Sequence, residues 1–346
     1  MKLGNRSLGG GFPTYVIAEV SANHNQSYER AVAIIGAAKA AGADAVKVQT
    51  YTADTITIDS DNEFFRVRGT LWDGMTLHRL YSEAYTPWEW QPQLKAVCEE
   101  LGMDFFSSPF DPTAVTFLES INVCAYKVAS PEIVDIPLLR IIGATRKPVI
   151  LSTGMATLAE IDEAIGTLRA HGTTDLALLK CTSAYPAPPD EMNLRTIPHM
   201  LETFGIPVGL SDHSMGHSVA VAAVALGACV VEKHLTMARS EGGADAGFSM
   251  EPDEFREMVS AIRTVEAAVG WVSYQPSESE IIPRRYRRSL FAVENIRAGE
   301  KITENNVRSI RPGQGLHPRH LDDVLGRRAT CDIRKGTPLS WDLVCS

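Results

Sequence analysis

Eight short apolar runs recur along this chain, and each closes on polar or ionisable residues. They are VIAEV closing on Glu19 to Ser21, AVKVQT at Gln49 and Thr50, FFSS at Ser107 and Ser108, AYKVAS at Ser130, PVILST at Ser152 and Thr153, LALLKCTS at Thr182 and Ser183, PVGLSDH at His213, and CVVEKH at His234. Runs rich in Val, Ile and Leu, bounded by helical segments, read as parallel strands buried on both faces. Helical patterns lie between them. Tyr28 to Ala41 carries Ala, Val and Ile at helical spacing, and a Thr86-Pro87 start runs on to Gly102. Asp111-Pro112, Asp135, Thr157 with Glu160, Pro189-Asp190, Gly216 and Pro252-Asp253 open the rest. Eightfold alternation of strand and helix predicts an α/β fold, a (β/α)8 TIM barrel, whose site is built from the carboxyl ends of its strands.

One connection breaks the rhythm. Residues 51–85, between the second and third strands, include GTLWDGMTLHRLYSEAY. Loops longer than about 15 residues are uncommon and usually functional, so this insertion is expected to shape substrate specificity. After Gly270 a polar stretch, YQPSESEIIPRRYRR, reads as a linker. Beyond it NIRAGEKITENNV (295–307) and DIRKGTPLSWDLV (332–344) align without gaps at a period of 37 residues, sharing I-R-x-G and a closing Val. Two such repeats predict a small pseudo-symmetric β-rich module, with too little core to stand well alone. The expected organisation is a barrel over 1–275, a linker over 276–288 and the module over 289–346.

Charge divides along the same line. The chain carries a formal −9, yet from Arg284 onward thirteen lysines and arginines face seven carboxylates, which leaves −15 on the preceding residues. No aromatic residues interleave with those arginines as in a base-stacking surface, and an acidic barrel repels a polyanion, so nucleic acid is not an expected partner. The start, MKLGNRSLGGGF, lacks the apolar core of a secretory signal. The longest apolar stretch, Val219 to Val231, is broken by Gly227 and falls short of the roughly 18 residues that cross a bilayer. A cytoplasmic protein without a membrane partner is expected. Six scattered cysteines, with no CxxC pair, read as reduced thiols.

Alternate residues of a strand share a face, so Ser211 pairs in orientation with His213, Glu232 with His234, and Lys47 with Gln49. Two imidazoles at equivalent ends of adjacent strands can hold one divalent cation and leave positions open for water and substrate. Glu232 and Asp245 are possible further ligands. Ser108, Ser130, Ser152, Ser183 and Ser211 come from five strand ends and, with Lys47 and Lys127, could surround a phosphate. Glu19 is placed as a general base or as a buried partner for Lys47. Asp245, in EGGAD, could hold substrate hydroxyls or close a plain turn. A Schiff-base aldolase using Lys127 or Lys180 is the alternative chemistry; a non-catalytic carbohydrate-binding protein has no need of a metal pair beside a phosphate cradle.

At these residues the chain resembles the sialic acid synthase family, which condenses phosphoenolpyruvate with amino sugars to make nine-carbon nonulosonic acids. The resemblance covers nearly the whole length through IAEVSANHN, KVQTY, FSSPFD, AYKVAS, ILSTGM, KCTSAYPAP, GLSDHS, VEKH, the GGAD loop and a C-terminal antifreeze-like (SAF, β-clip) module carrying SIRPGQGLHP. It implies that His213 and His234 bind the metal, Mn2+ foremost with Mg2+ or Co2+ as alternatives, and that Glu19 stands beside the reacting carbon. It further implies that Lys47, Ser108, Lys127, Ser130, Ser152, Ser183 and Ser211 bind phosphoenolpyruvate, while Gln49, Tyr185 and Asp245 face the sugar. Arg311 would close the site from the antifreeze-like module of the partner in a domain-swapped homodimer. Ser108 and Ser183 depart from the Thr and Asn common in the family, and both keep hydrogen-bonding capacity.

Overall fold

A computed structural model describes residues 1–4 and 6–345 and divides the chain into two compact units, Met1–Gly270 and Trp271–Ser346. In the first, eight parallel strands close into a barrel. They are β1 (Tyr15–Glu19), β2 (Ala45–Thr50), β3 (Asp104–Pro109), β4 (Tyr126–Val128), β5 (Val149–Ser152), β6 (Leu176–Cys181), β7 (Val208–Asp212) and β8 (Val230–His234). The closing pair, β8 with β1, sets His234 opposite Glu19, and β1 with β2 sets Glu19 opposite Lys47.

Strand periodicity sorts the barrel interior into two tiers. The lower tier is apolar: Tyr15, Ile17, Ala45, Phe106, Ala125, Ile150, Ala177, Leu179 and Val230 pack together, joined by Leu3 and Leu8 from the N-terminal segment. Two residues further along the same strands the inward positions become Glu19, Lys47, Ser108, Lys127, Ser152, Cys181, Ser211 and Glu232. Gly209 belongs to this interior; a Cβ there would strike the Val230 backbone, so glycine lets β7 and β8 approach.

The outer faces pack against α1 (Tyr28–Ala41), α3 (Gln91–Glu100), α4 (Pro112–Ser120), α5 (Ile136–Ala144), α6 (Leu158–His171), α7 (Thr196–Phe204), α8 (Ser218–Ala225) and α9 (Pro252–Val269), with α2 (Leu77–Ala84) inside the 51–85 insertion. Several starts follow from local chemistry. The Asp111 carboxylate accepts from the amides of Thr113 and Ala114, Asp135 caps Leu138, and Thr157 with Glu160 forms a reciprocal capping box. The Pro189-Asp190 start is a correction: Pro189–Glu191 makes only a 3-10 turn, Asn193 takes a positive φ of 46°, and α7 begins at Thr196.

The second unit contains the antiparallel pair β9 (Ser289–Ala292) and β10 (Val307–Ile310). Its two repeats meet at matching positions. Ile296 and Ile333 exchange both backbone hydrogen bonds at 2.8 Å. Asp332 accepts from the Ala298 amide and Asn295 from the Lys335 amide, at 2.7 and 2.8 Å. The Gly299 amide donates to Ala329 and the Gly336 amide to Ala292. Each contact maps onto its twin by the 37-residue period, and the core pairs Ala292 with Ala329, Ile302 with Leu339 and Val307 with Val344 in the same relation. Arg311 lies exposed just after β10.

Candidate active site

The upper tier opens into a cavity of about 270 Å³ at the carboxyl ends of the barrel strands, lined by Lys47, Gln49, Lys127, Ser130, Ser152, Tyr185, Ser211, His213, His234 and Asp245 among the residues expected from sequence. Glu19, Ser108 and Ser183 do not line it. Glu19 is fully buried beneath the cavity, where its Oε2 takes the Lys47 ammonium at 2.8 Å and its Oε1 accepts from the Gln49 amide at 3.2 Å. Ser108 lies 3.5 Å from the Lys47 ammonium. Ser183 approaches Cys181 Sγ at 3.8 Å, and a Cβ on Gly154 would collide with the Ser183 and Ser130 hydroxyls, so that glycine lets both serines converge.

Charge in this tier is tightly coupled. Lys47 faces Glu19 and also Glu232, at 3.4 Å. Burial opposes its charge, but the two carboxylates outweigh burial and raise its pKa. Burial likewise works against ionised Glu232, yet Lys127 and Lys47 pull its pKa down. For Glu19 burial wins over Lys47 and the pKa is raised. Among the described residues no carboxylate contacts Lys127; it donates to Ser152 Oγ at 2.6 Å and to the Val128 carbonyl at 2.9 Å, and burial brings it down to about 8.

His213 and His234 stand edge to face, their ring centroids 5.4 Å apart. His213 Nδ1 lies 3.1 Å from the Thr182 carbonyl, which can only accept, so Nδ1 carries a proton and the neutral ring offers its lone pair at Nε2. That is the outer-shell arrangement typical of a metal-ligating imidazole. Burial opposes the ring's charge, but Cys181, Thr182 and Glu232 outweigh it and raise the His213 pKa. His234 Nδ1 and Glu232 Oε2 are buried without partners, and burial, then His213, Lys47 and Lys233, holds the His234 pKa well below its usual value. Among the described residues no three His, Cys, Asp or Glu side chains are spaced to chelate a metal. A cation at His213 and His234 would have two imidazole ligands from the protein and its other positions open to substrate and water.

Loops complete the rim. Asp245 Oδ2 accepts from the Ser21 hydroxyl and from the Ala22 amide, tying the loop after β8 to the loop after β1. Tyr185 stacks 4.4 Å from His213 and 5.0 Å from Phe248.

Several lining groups escaped the sequence reading: Tyr51, Trp72, Leu80, Tyr81, Ala84, Phe110 and Cys181. Cys181 was legible as the inward partner of Leu179 on an alternating strand. Burial pushes its thiol up, but the contact with His213, then Ser130 and Lys127, brings it to about 7. Glu132, on the turn after β4, has Oε2 buried without a partner and is raised by burial to about 7. Arg311 belongs to the second unit.

Residues 34–274 match the family model for the NeuB family, and residues 287–344 match a SAF domain. The chain belongs to the NeuB family. Among relatives in that family, pseudaminic acid synthase of Campylobacter jejuni is 44% identical over 94% of this chain and 95% of its own. N,N'-diacetyllegionaminic acid synthase of Legionella pneumophila is 34% identical over 98% of this chain and 97% of its own. The crystal structure of the spore coat polysaccharide biosynthesis protein SpsE from Bacillus subtilis superposes with a TM-score of 0.68 at 34% identity, covering 100% of this chain and 99% of that one.

Proposed function

We propose that this NeuB-family chain is a transferase that condenses phosphoenolpyruvate with a diacetamido-trideoxy-L-altrose and water, giving pseudaminic acid and phosphate. The observation that carries the reading is the convergence, in one cavity, of two lysines and the serines Ser130, Ser152 and Ser211 with the imidazoles of His213 and His234. The choice of sugar rests on the 44% identity to a pseudaminic acid synthase, against 34% to a legionaminic one.

Lys127, Ser130 and Ser152 hold the phosphate of phosphoenolpyruvate, and Lys47 with Ser211 holds its carboxylate; Ser108 backs Lys47, and Ser183 backs Cys181. Gln49, Tyr185 and Asp245 orient the sugar so that its aldehyde faces C3 of phosphoenolpyruvate. A divalent cation on His213 and His234, Mn2+ or else Mg2+ or Co2+, supplies Lewis-acid polarisation of that aldehyde. Glu19 fixes the Lys47 ammonium and the Gln49 amide from outside the cavity lining, so it acts by positioning those two groups. Arg311 of the partner subunit closes the site in a homodimer.

The test is phosphate release and product identification with Mn2+, phosphoenolpyruvate and a panel of acetamido hexoses. Pseudaminic acid from the L-altro sugar is expected, with turnover lost in a folded His213→Ala chain; sialic or legionaminic acid as the sole product would reassign the substrate. Phosphoenolpyruvate labelled with heavy oxygen at the bridging position should pass its label to phosphate, and label kept in the sugar acid would sink the reaction as written. The lowered pKa of Lys127 also suits a Schiff base. Borohydride trapping of Lys127 with activity that survives chelation would favour that second reading.

A further inference from the structure

The 51–85 insertion gives the cavity a chemically one-sided wall. Within it α2 starts at Thr76, whose hydroxyl accepts from the Arg79 amide at 3.3 Å. Leu80, Tyr81 and Ala84 of this helix line the cavity, spaced i, i+1 and i+4 on one face. The Tyr81 ring meets Tyr51 edge to face at 5.5 Å, and Tyr51 meets Phe110 at 5.2 Å. Burial first, and then Asp245 for Tyr51 and Glu132 for Tyr81, raises both phenol pKa values, so both rings are neutral. The insertion is tied across the mouth by Trp72, whose Nε1 donates to the Ala244 carbonyl at 2.9 Å, and the same indole lies 6.0 Å from Tyr185.

Every ionised group in the cavity comes instead from a barrel strand or from the loop carrying Asp245. A sugar lying between charged floor and apolar wall therefore meets two solvents. A hydroxyl turned to Leu80 and Ala84 would lose water without gaining a partner, whereas a methyl there stays in contact with its own kind. We propose that Leu80 and Ala84 of α2 determine specificity by selecting sugars whose terminal carbon is a methyl and rejecting the matched sugar that carries a hydroxyl on that carbon, with the Tyr81 ring packed beside them against Tyr51. This inference rests on the proposed function and names residues that function does not require.

The experiment compares kcat/KM for the diacetamido-trideoxy hexose with that for its counterpart bearing a terminal hydroxymethyl group, under saturating phosphoenolpyruvate. The native chain should prefer the deoxy sugar about 10-fold or more. Leu80→Asn should bring the ratio close to one by raising KM for the deoxy sugar, with KM for phosphoenolpyruvate unchanged. Because Leu80 is buried, thermal melting checks the fold, and Ala84→Ser, a smaller change on the same face, reads the same ratio. A ratio unmoved in a folded variant overturns the inference, as does a native chain that turns over both sugars equally well. A native chain that turns over neither sugar overturns the proposed function, and this inference with it.

Discussion

His24 sits in the SANHN motif, close to the candidate chemistry in sequence, yet its setting is structural. It is buried, hydrogen-bonds Thr86 at 3.1 Å, accepts from the Gln26 amide and meets Trp90 edge to face. Burial, aided by Arg30, lowers its pKa from 6.5 to about 4. A histidine held neutral in the fold is protonated preferentially when unfolded, so its contribution is complete above about pH 6.5 and drains away as pH falls towards 4. The loss amounts to about 3 kcal/mol at most. His24→Gln should melt lower than the native chain at pH 7.5 but converge with it near pH 4.5; parallel melting curves across that range would refute the assignment. Lys127 limits binding on the alkaline side instead. Its charge is present below about pH 8 and lost above, so phosphoenolpyruvate should bind more weakly as pH rises past 8. Lys127→Arg should keep binding to higher pH, although with altered geometry, and an alkaline limb that stays in place would assign it to another group.

At the scale of elements, the two strands bearing the imidazoles are fastened on their outer face. Asp212 and Lys233 are register partners across β7 and β8, nearly without exposure, and their charges meet at 2.7 Å. Lys233 also donates to the Ser214 carbonyl, and Asp212 Oδ1 accepts from the Ser214 amide and hydroxyl. Each residue precedes one imidazole in sequence and faces away from the cavity, so the pair fixes the strand ends without touching substrate. Breaking a buried pair from one side costs about 3–5 kcal/mol, because the remaining charge is stranded. Asp212→Asn should therefore lower the melting temperature far more than the double change Asp212→Leu with Lys233→Met; equal losses would mean that the ion pair is not what joins the strands. The strands were legible because their outer faces meet helices and their inner faces meet each other, which leaves apolar runs ending where the interior turns polar. The wall on α2 was not legible as a wall. Its residues look like any amphipathic surface until the fold turns Leu80, Tyr81 and Ala84 towards a cavity that begins on other strands. In sequence Glu19 reads as a general base or as a buried partner for Lys47, and in the fold it stands opposite Lys47 in register, fully buried in an ion pair with it.

At the scale of the whole molecule, the charge asymmetry and the repeat of the second unit become one question. That unit is basic and holds its core through contacts duplicated about a pseudo-two-fold, while the barrel unit carries the acidic excess. The proposed role of Arg311 in the partner's site is separable from a role in its own barrel only by mixing chains, since a single substitution removes it from both. In a chain with Arg311→Ala the barrel keeps His213, and in a chain with His213→Ala the second unit keeps Arg311. If Arg311 acts across the dimer, a mixed pair holds one barrel with intact imidazoles served by an intact arginine. Random pairing of equal amounts makes half the dimers mixed, each with one working site of two, so co-refolded protein should regain about a quarter of native activity. If Arg311 serves its own barrel, every site in the mixture lacks one residue or the other, and activity stays at the sum of the two parents. Phosphate release measured before and after co-refolding distinguishes the outcomes, and the absence of any gain would place Arg311 in the service of its own chain.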